Sequence, residues 1–263
     1  MRRDRWRLDP ISFFEGSAMS VVSIRDEGLV RLIAINRPEV GNAIDLEVVL
    51  ALQQAFADFD VSPQRAAVLH GTGHIFSMGS DPTLPVTELW RCVPTLGVAT
   101  DKPVITAVNG ECKGSAFGIS MMADICIADE TASFRYPEGI HGATGGLIAS
   151  LVNRVAHKIA MEVMLSGLPI SVQRAYEIGL VNRVVPAGQH IEAALEFASV
   201  LARRAPLVLQ LMKRMVVNSA LPVTPTETMG RTLRALTAVR TSDDSAEGKR
   251  AMTEGRAPQF RGQ

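Results

Sequence analysis

Two glycine-rich turns carry the residue types best suited to chemistry in this chain. One runs Gly71-Thr72-Gly73-His74-Ile75-Phe76-Ser77-Met78-Gly79-Ser80-Asp81, the other Asn109-Gly110-Glu111-Cys112-Lys113-Gly114-Ser115-Ala116-Phe117-Gly118. Each follows a short apolar run that reads as a strand, and the second opens a helix. Small side chains let a ligand come close to the backbone. Amides at a helix start attract developing negative charge. Two such turns face to face would form an oxyanion hole, usually the largest single contribution in acyl chemistry. The same residues also fit two ordinary tight turns, and spacing alone leaves both readings open. No GxGxxG fingerprint, P-loop or GxSxG elbow is present, so nucleotide-phosphate cradles and the common serine-hydrolase elbow find no support.

These turns need a rigid frame. Val30, Leu32 and Ala34 alternate with Arg31, Ile33 and Ile35 in a run closed by Asn36-Arg37-Pro38, which predicts a strand entering a turn. Asp45 predicts the cap of a helix with Val48, Leu52, Ala55 and Phe59 on one face. Strands are predicted over 66–70, 103–108 and 124–128, with a small-residue helix over 115–123. That order predicts an α/β domain. Ile191, Ala194, Leu195 and Ala198, then Leu207, Leu211 and Met215, recur at helical spacing. Thr241-Ser242-Asp243-Asp244 has the form of a capping box. The expected division is a poorly ordered extension over 1–18, a core over 19–190 and a helical subdomain over 191–263.

Bulk properties limit the partners. The 263 residues are 47% hydrophobic, enough for a sizeable core, and 27 basic residues balance 27 acidic ones. Zero net charge argues against nucleic acid or an anionic membrane as the main partner. Cys92, Cys112 and Cys126 form no CxxC pair and sit near no histidine cluster, which points to three reduced thiols in a cytoplasmic protein rather than a disulfide framework or a zinc site. No apolar run approaches the roughly 18 residues that span a bilayer.

From about Val21 to Phe260 the chain resembles the enoyl-CoA hydratase/isomerase (crotonase) family. Arg37-Pro38-Glu39-Val40-Gly41-Asn42-Ala43 is similar to its turn for coenzyme A. Phe76 to Asp81 resembles its first oxyanion segment, and Lys102 to Gly110 the lead-in to its second. Gly167 to Val181 resembles a downstream block, and Thr241 to Gly248 with Pro258-Gln259-Phe260 the closing helix and tail. The resemblance implies a superhelix of strand-strand-helix units with a helical C-terminal subdomain, assembled as trimers or hexamers. It implies that the amides of Ser80 and Ser115 hold a thioester oxygen. It also implies that Val40, Gly41, Ala43, Ser80, Asp81, Pro82, Thr83 and Ser115 line the site for an acyl-CoA thioester, with no cofactor beyond the coenzyme A of the substrate.

Hydratases of this family use two glutamates, and here the pattern breaks. The first lies three residues beyond the second oxyanion position, which is Gly118; the second matches Pro137-Glu138. One carboxylate can shuttle a proton between two carbons, so isomerisation suits Glu138 better than hydration, which needs one group for water and one for carbon. Glu138 also fits a helix first-turn acid that stabilises the dipole. The segment after it is about three residues short for the family and brings His141 toward the site, where an imidazole is more often structural. The loop from Asp81 to Lys102 is short as well, with Leu84, Val86, Leu89 and Trp90 fitting either an acyl pocket or core packing. Two further readings stand beside the leading one, a coenzyme A-thioester isomerase or atypical hydratase: a catalytically weak acyl-CoA-binding protein, and a serine hydrolase using Ser115 with His141, since Clp-type proteases share the overall fold.

Overall fold

The computed structural model describes residues 20–263; the extension expected over 1–18 lies outside them. Strand β1 (Val22–Glu27) pairs antiparallel with β2 (Val30–Ile35), and every later pairing in the main sheet is parallel. The sheet adds β3 (Ala66–Gly71), β4 (Val104–Val108), β6 (Ile125–Asp129) and β9 (Arg183–Val185), in the order β1-β2-β3-β4-β6-β9. A second sheet joins β5 (Glu111–Lys113), β7 (Ser133–Arg135) and β8 (Ile170–Ser171). Parallel strands buried on both faces read as near-continuous apolar runs. The alternation in β2 then sorts residues between two cores rather than between core and solvent: Ile33 and Ile35 face the larger one, Val30 and Leu32 the smaller.

The larger core holds α1 (Leu46–Val61) and α2 (Ser115–Met122). Asp45 caps α1, its Oδ1 accepting from the Val48 amide at 2.9 Å, and Val48, Leu52, Ala55 and Phe59 are buried as their spacing predicts. All eight residues of α2 are buried, so this helix runs through the interior and needs small or apolar residues on every side. The one-turn helix α3 (Glu138–His141), then α4 (His157–Ser166) and α5 (Val172–Glu177), follow on the side of the small sheet.

The helical stretch expected from residue 191 splits in two. Helix α6 (His190–Ala202) lies on the outer face of the main sheet, its Ala194, Ala198 and Ala202 closing the smaller core against Leu32, Val68, Ile105 and Ile127. The remainder, α7 (Pro206–Met215), α8 (Pro225–Arg240) and α9 (Asp243–Glu254), stands off the sheet. Lys213 ties α7 to the core, donating to Lys102 O at 2.8 Å and Asp124 Oδ2 at 2.6 Å. Arg234 ties α8 to the loop before β4 through Thr95 O at 2.8 Å and Leu96 O at 2.7 Å. The capping box expected at 241–244 is a simple cap: Thr241 closes α8, and Ser242 accepts from the Ser245 amide at 3.1 Å, but no carboxylate or amide stands at the third position to reach back. The sequence form of a box occurs instead at Thr224-Pro225-Thr226-Glu227, where Thr224 caps α8.

Candidate active site

Three turns from different parts of the chain are laid on one another. Asn42, fully buried, is the first clamp: its Oδ1 accepts from the Arg37 amide at 2.9 Å, and its Nδ2 donates to Thr72 O at 2.8 Å and Ile75 O at 3.0 Å. The Met78 amide donates to Gly41 O at 2.9 Å, so the 37–43 turn is stitched along the 76–81 segment. Gly41 has φ 67°, and a Cβ there would meet Met78 Cγ at 2.8 Å, so only glycine fits without a shift. The second clamp is Asn109, which donates to Gly73 O at 3.1 Å while its carbonyl accepts from the Phe76 amide at 2.7 Å. Ser77 then exchanges backbone bonds with the next turn, its amide donating to Glu111 O at 2.9 Å and its carbonyl accepting from Lys113 N at 3.0 Å.

These clamps bring Ser80 and Ser115 together. Ser80 Oγ donates to Ser115 Oγ at 2.8 Å. Among the described residues, neither the Ser80 nor the Ser115 amide has a protein acceptor. Ser115 opens α2 and follows Gly114, whose lack of a side chain leaves the first helical amides uncapped. Gly79 allows the approach: at φ 93°, a Cβ on it would lie 2.5 Å from Lys113 O and 3.5 Å from Ser115 N. Beyond Ser80, Asp81 Oδ1 accepts from the Thr83 amide at 2.8 Å, and Thr83, chiefly through its hydroxyl, holds the Asp81 carboxyl below its ordinary range. Pro82 and Thr83 are exposed on this turn, as is Val40 on its own; Ala43 is half-buried, its carbonyl accepting from Arg37 at 3.1 Å.

Glu138 stands at the first position of α3, half-buried, with its Oε2 accepting from the Gly145 amide at 3.2 Å. Among the described residues no hydrogen bond joins it to either serine. The Tyr136 hydroxyl lies beside it, and burial first, then the Glu138 carboxylate, push that hydroxyl up. His141 is exposed at the end of α3 and hydrogen-bonds through its backbone to Pro137 O at 3.2 Å; its ring is not paired with Ser115, whose hydroxyl partner is Ser80.

The residue that spacing does not reveal is Leu147. A Cβ built on Gly118 would meet Leu147 Cδ2 at 3.0 Å and Cγ at 3.7 Å, so an isobutyl group from a distant turn fills the space a side chain at 118 would need. Leu147 is itself 5% exposed. The glycines before it hold the neighbouring wall: a Cβ on Gly145 would lie 3.4 Å from Val86 Cγ1 and 3.7 Å from Leu89 Cδ2. Leu84, Leu89 and Trp90 are buried, Val86 exposed. A separate hollow of about 290 Å³ lies at the far end of α2, among Met121, Asp124, Asn153 and Arg154. Its guanidinium is spent on Met121 O and Ser150 O at 2.8 and 2.6 Å, away from the amide pair.

A family model described as enoyl-CoA hydratase/isomerase matches residues 25–263. The chain belongs to this family. It is 31% identical to a 2,3-dehydroadipyl-CoA hydratase of Escherichia coli, with 93% of this chain and 100% of the relative covered. It is 33% identical to a carnitinyl-CoA dehydratase of Salmonella typhi, over 89% and 96%. The crystal structure of an enoyl-CoA hydratase from Mycobacterium tuberculosis superposes with a TM-score of 0.71 at 28% identity, covering 93% of this chain and all of the other. The fold is therefore the crotonase fold that the sequence resemblance implies, and the chain is an acyl-CoA enzyme of the hydratase/isomerase family. Among the described residues no group of three or more His, Cys, Asp or Glu could hold a metal ion, and no helix is long and apolar enough to cross a membrane.

Proposed function

We propose that this member of the enoyl-CoA hydratase/isomerase family moves the double bond of an enoyl-CoA by single-carboxylate proton transfer. The amides of Ser80 and Ser115 receive the thioester oxygen, where charge accumulates as the enolate forms. Glu138 takes a proton from C2 of a 3-enoyl thioester, and the C–H electron pair enters a dienolate whose charge rests on that oxygen. The same carboxyl returns the proton to C4, giving the 2-enoyl thioester with no water consumed. The coenzyme A lies along Val40, Gly41 and Ala43 and the Ser80–Thr83 turn, and the residues act without a further cofactor. The exposed apolar face of α7, with Leu207, Leu211 and Met215, supports association into the trimers or hexamers that the resemblance implies.

The observation that carries this reading is Leu147 in the space beside Gly118. Hydration asks for a second acid-base group to handle water, and that place is apolar here. The named relatives are a hydratase and a dehydratase, at 31% and 33% identity, so the reaction of this chain turns on its own acids. The test is an assay with 2-enoyl- and 3-enoyl-CoA of several chain lengths, following hydration and isomerisation separately. Isomerisation is expected to dominate, and Glu138→Gln to abolish it while coenzyme A-ester binding persists. Hydration as fast as isomerisation would refute the reading. A parent that binds the esters but turns over neither would assign a binding role instead.

A further inference from the structure

The two serines at the site carry hydroxyls as well as amides, and the hydroxyls are arranged in a direction. Ser80 Oγ donates to Ser115 Oγ at 2.8 Å, so Ser115 is the acceptor and its own proton must go elsewhere. Among the described residues no acceptor takes it. The other hydroxyl of α2, Ser120, is turned to the strand behind it, where it pairs with Thr106 Oγ1 at 3.0 Å. Ser115 is only 4% exposed, whereas Ser80 lies on the solvent side of the pair. A buried donor is expected to be satisfied, here by a group that arrives with the ligand.

We infer that the Ser115 hydroxyl is a third donor to the thioester oxygen, aimed there by the hydrogen bond it accepts from Ser80. The inference rests on the oxyanion site proposed above and adds a side-chain contribution to it. Ser115 is then a catalytic residue beside Glu138, its hydroxyl donating to the oxygen that the two amides hold. Ser80 is a positioning residue in this respect: by occupying a lone pair of Ser115 it fixes which way the Ser115 proton points. A hydroxyl chain of this kind strengthens the terminal donor, because each bond polarises the next. No proton is transferred along it; the donated hydrogen bond shortens as charge builds on the oxygen.

The test uses Ser115→Ala, Ser80→Ala, the double variant and Ser115→Thr, with two readouts. The first is isomerisation of a 3-enoyl-CoA. Ser115→Ala should lower kcat about 10- to 100-fold with KM within about threefold, since the lost interaction is made mainly in the transition state. Ser80→Ala should lower kcat by less, the double should match Ser115→Ala, and Ser115→Thr should recover most of the rate. The second readout needs no turnover: the red shift in absorption when an aryl-enoyl-CoA bearing an electron-donating ring substituent binds. That shift grows as hydrogen bonds load the carbonyl, and it should shrink in Ser115→Ala while the amides remain. Full kcat and a full red shift in Ser115→Ala would overturn the inference, as would equal and additive losses from the two single variants. A parent that shows the red shift but isomerises nothing would count against the proposed reaction alone, leaving the spectra to decide the role of Ser115.

Discussion

Opening the space beside Gly118 and placing a carboxylate there should convert this site toward hydration. In the parent, a Cβ at 118 meets Leu147 Cδ2 at 3.0 Å, a contact with the far end of a flexible side chain. Gly118→Glu alone presses against Leu147 beside a fully buried helix, and overpacking of a core costs about 1–3 kcal/mol. Relief from a helical glycine returns about 0.5–1 kcal/mol of that. Leu147→Ala alone removes most of a buried side chain and costs about 2–5 kcal/mol. The two changes share one space, so the double variant should be less destabilised than the sum of the singles by about 1–3 kcal/mol. Urea denaturation of the four proteins gives this coupling energy directly. Hydration, followed by loss of the conjugated-thioester absorbance of a 2-enoyl-CoA, should rise at least about tenfold in the double variant, below the usual 10²–10⁴-fold worth of a general acid-base group. Zero coupling energy, or equal hydration by Gly118→Glu alone, would show that Leu147 does not decide the chemistry.

Gly79→Ala should cut isomerisation by about 100-fold or more, because a 2.5 Å contact with Lys113 O parts the two amide turns and a displacement of about 1 Å costs that much; near-normal kcat in a folded variant would refute the packing. Acid should destabilise the fold through two histidines. Burial holds His70 below its ordinary 6.5, and burial, partly opposed by Asp129 3.1 Å away, does the same for His190. Above pH 6.5 both states are neutral at these rings; as pH falls below it the unfolded chain takes up protons the folded one refuses, so stability drops. Melting temperatures at pH 7.5 and 5.5 should differ more in the parent than in His70→Leu, and equal differences would exclude His70. Ser150→Ala should lower stability by about 1–3 kcal/mol, measured by thermal melts, because the buried Glu227 carboxylate loses its 2.5 Å donor.

What the sequence made legible were features with a local cause. Asp45 before an amphipathic run, glycines after apolar strands and the alternation of β2 each depend on neighbours a few residues away, and each appears as expected. The small sheet was not legible: β5 and β7 have three residues and β8 two, too few to display a period. Helix α6 read like the helices after it, because the alanines that let it lie flat on the sheet are also good helix formers. At the site, Ser80 and Ser115 could be aligned with a known pattern, but their shared hydroxyl bond depends on Gly79 accepting φ 93° against Lys113. Leu147 beside Gly118 has no signal in either segment, since the contact exists only after two turns far apart in sequence have packed.

The clamps around the amide pair also bear on how the chain reaches its native state. Asn42 and Ile75 are 33 residues apart in sequence, and Ser80 and Ser115 are 35 apart. Each contact closes a long loop before it returns any stabilisation, and the loops are nested in parallel crossovers, the slow class of topology. Ligand competence should therefore be a late kinetic event, appearing after the bulk of the secondary structure rather than with it. For a newly made copy of this chain, the interval between collapse and competence is when its apolar strands are exposed without function.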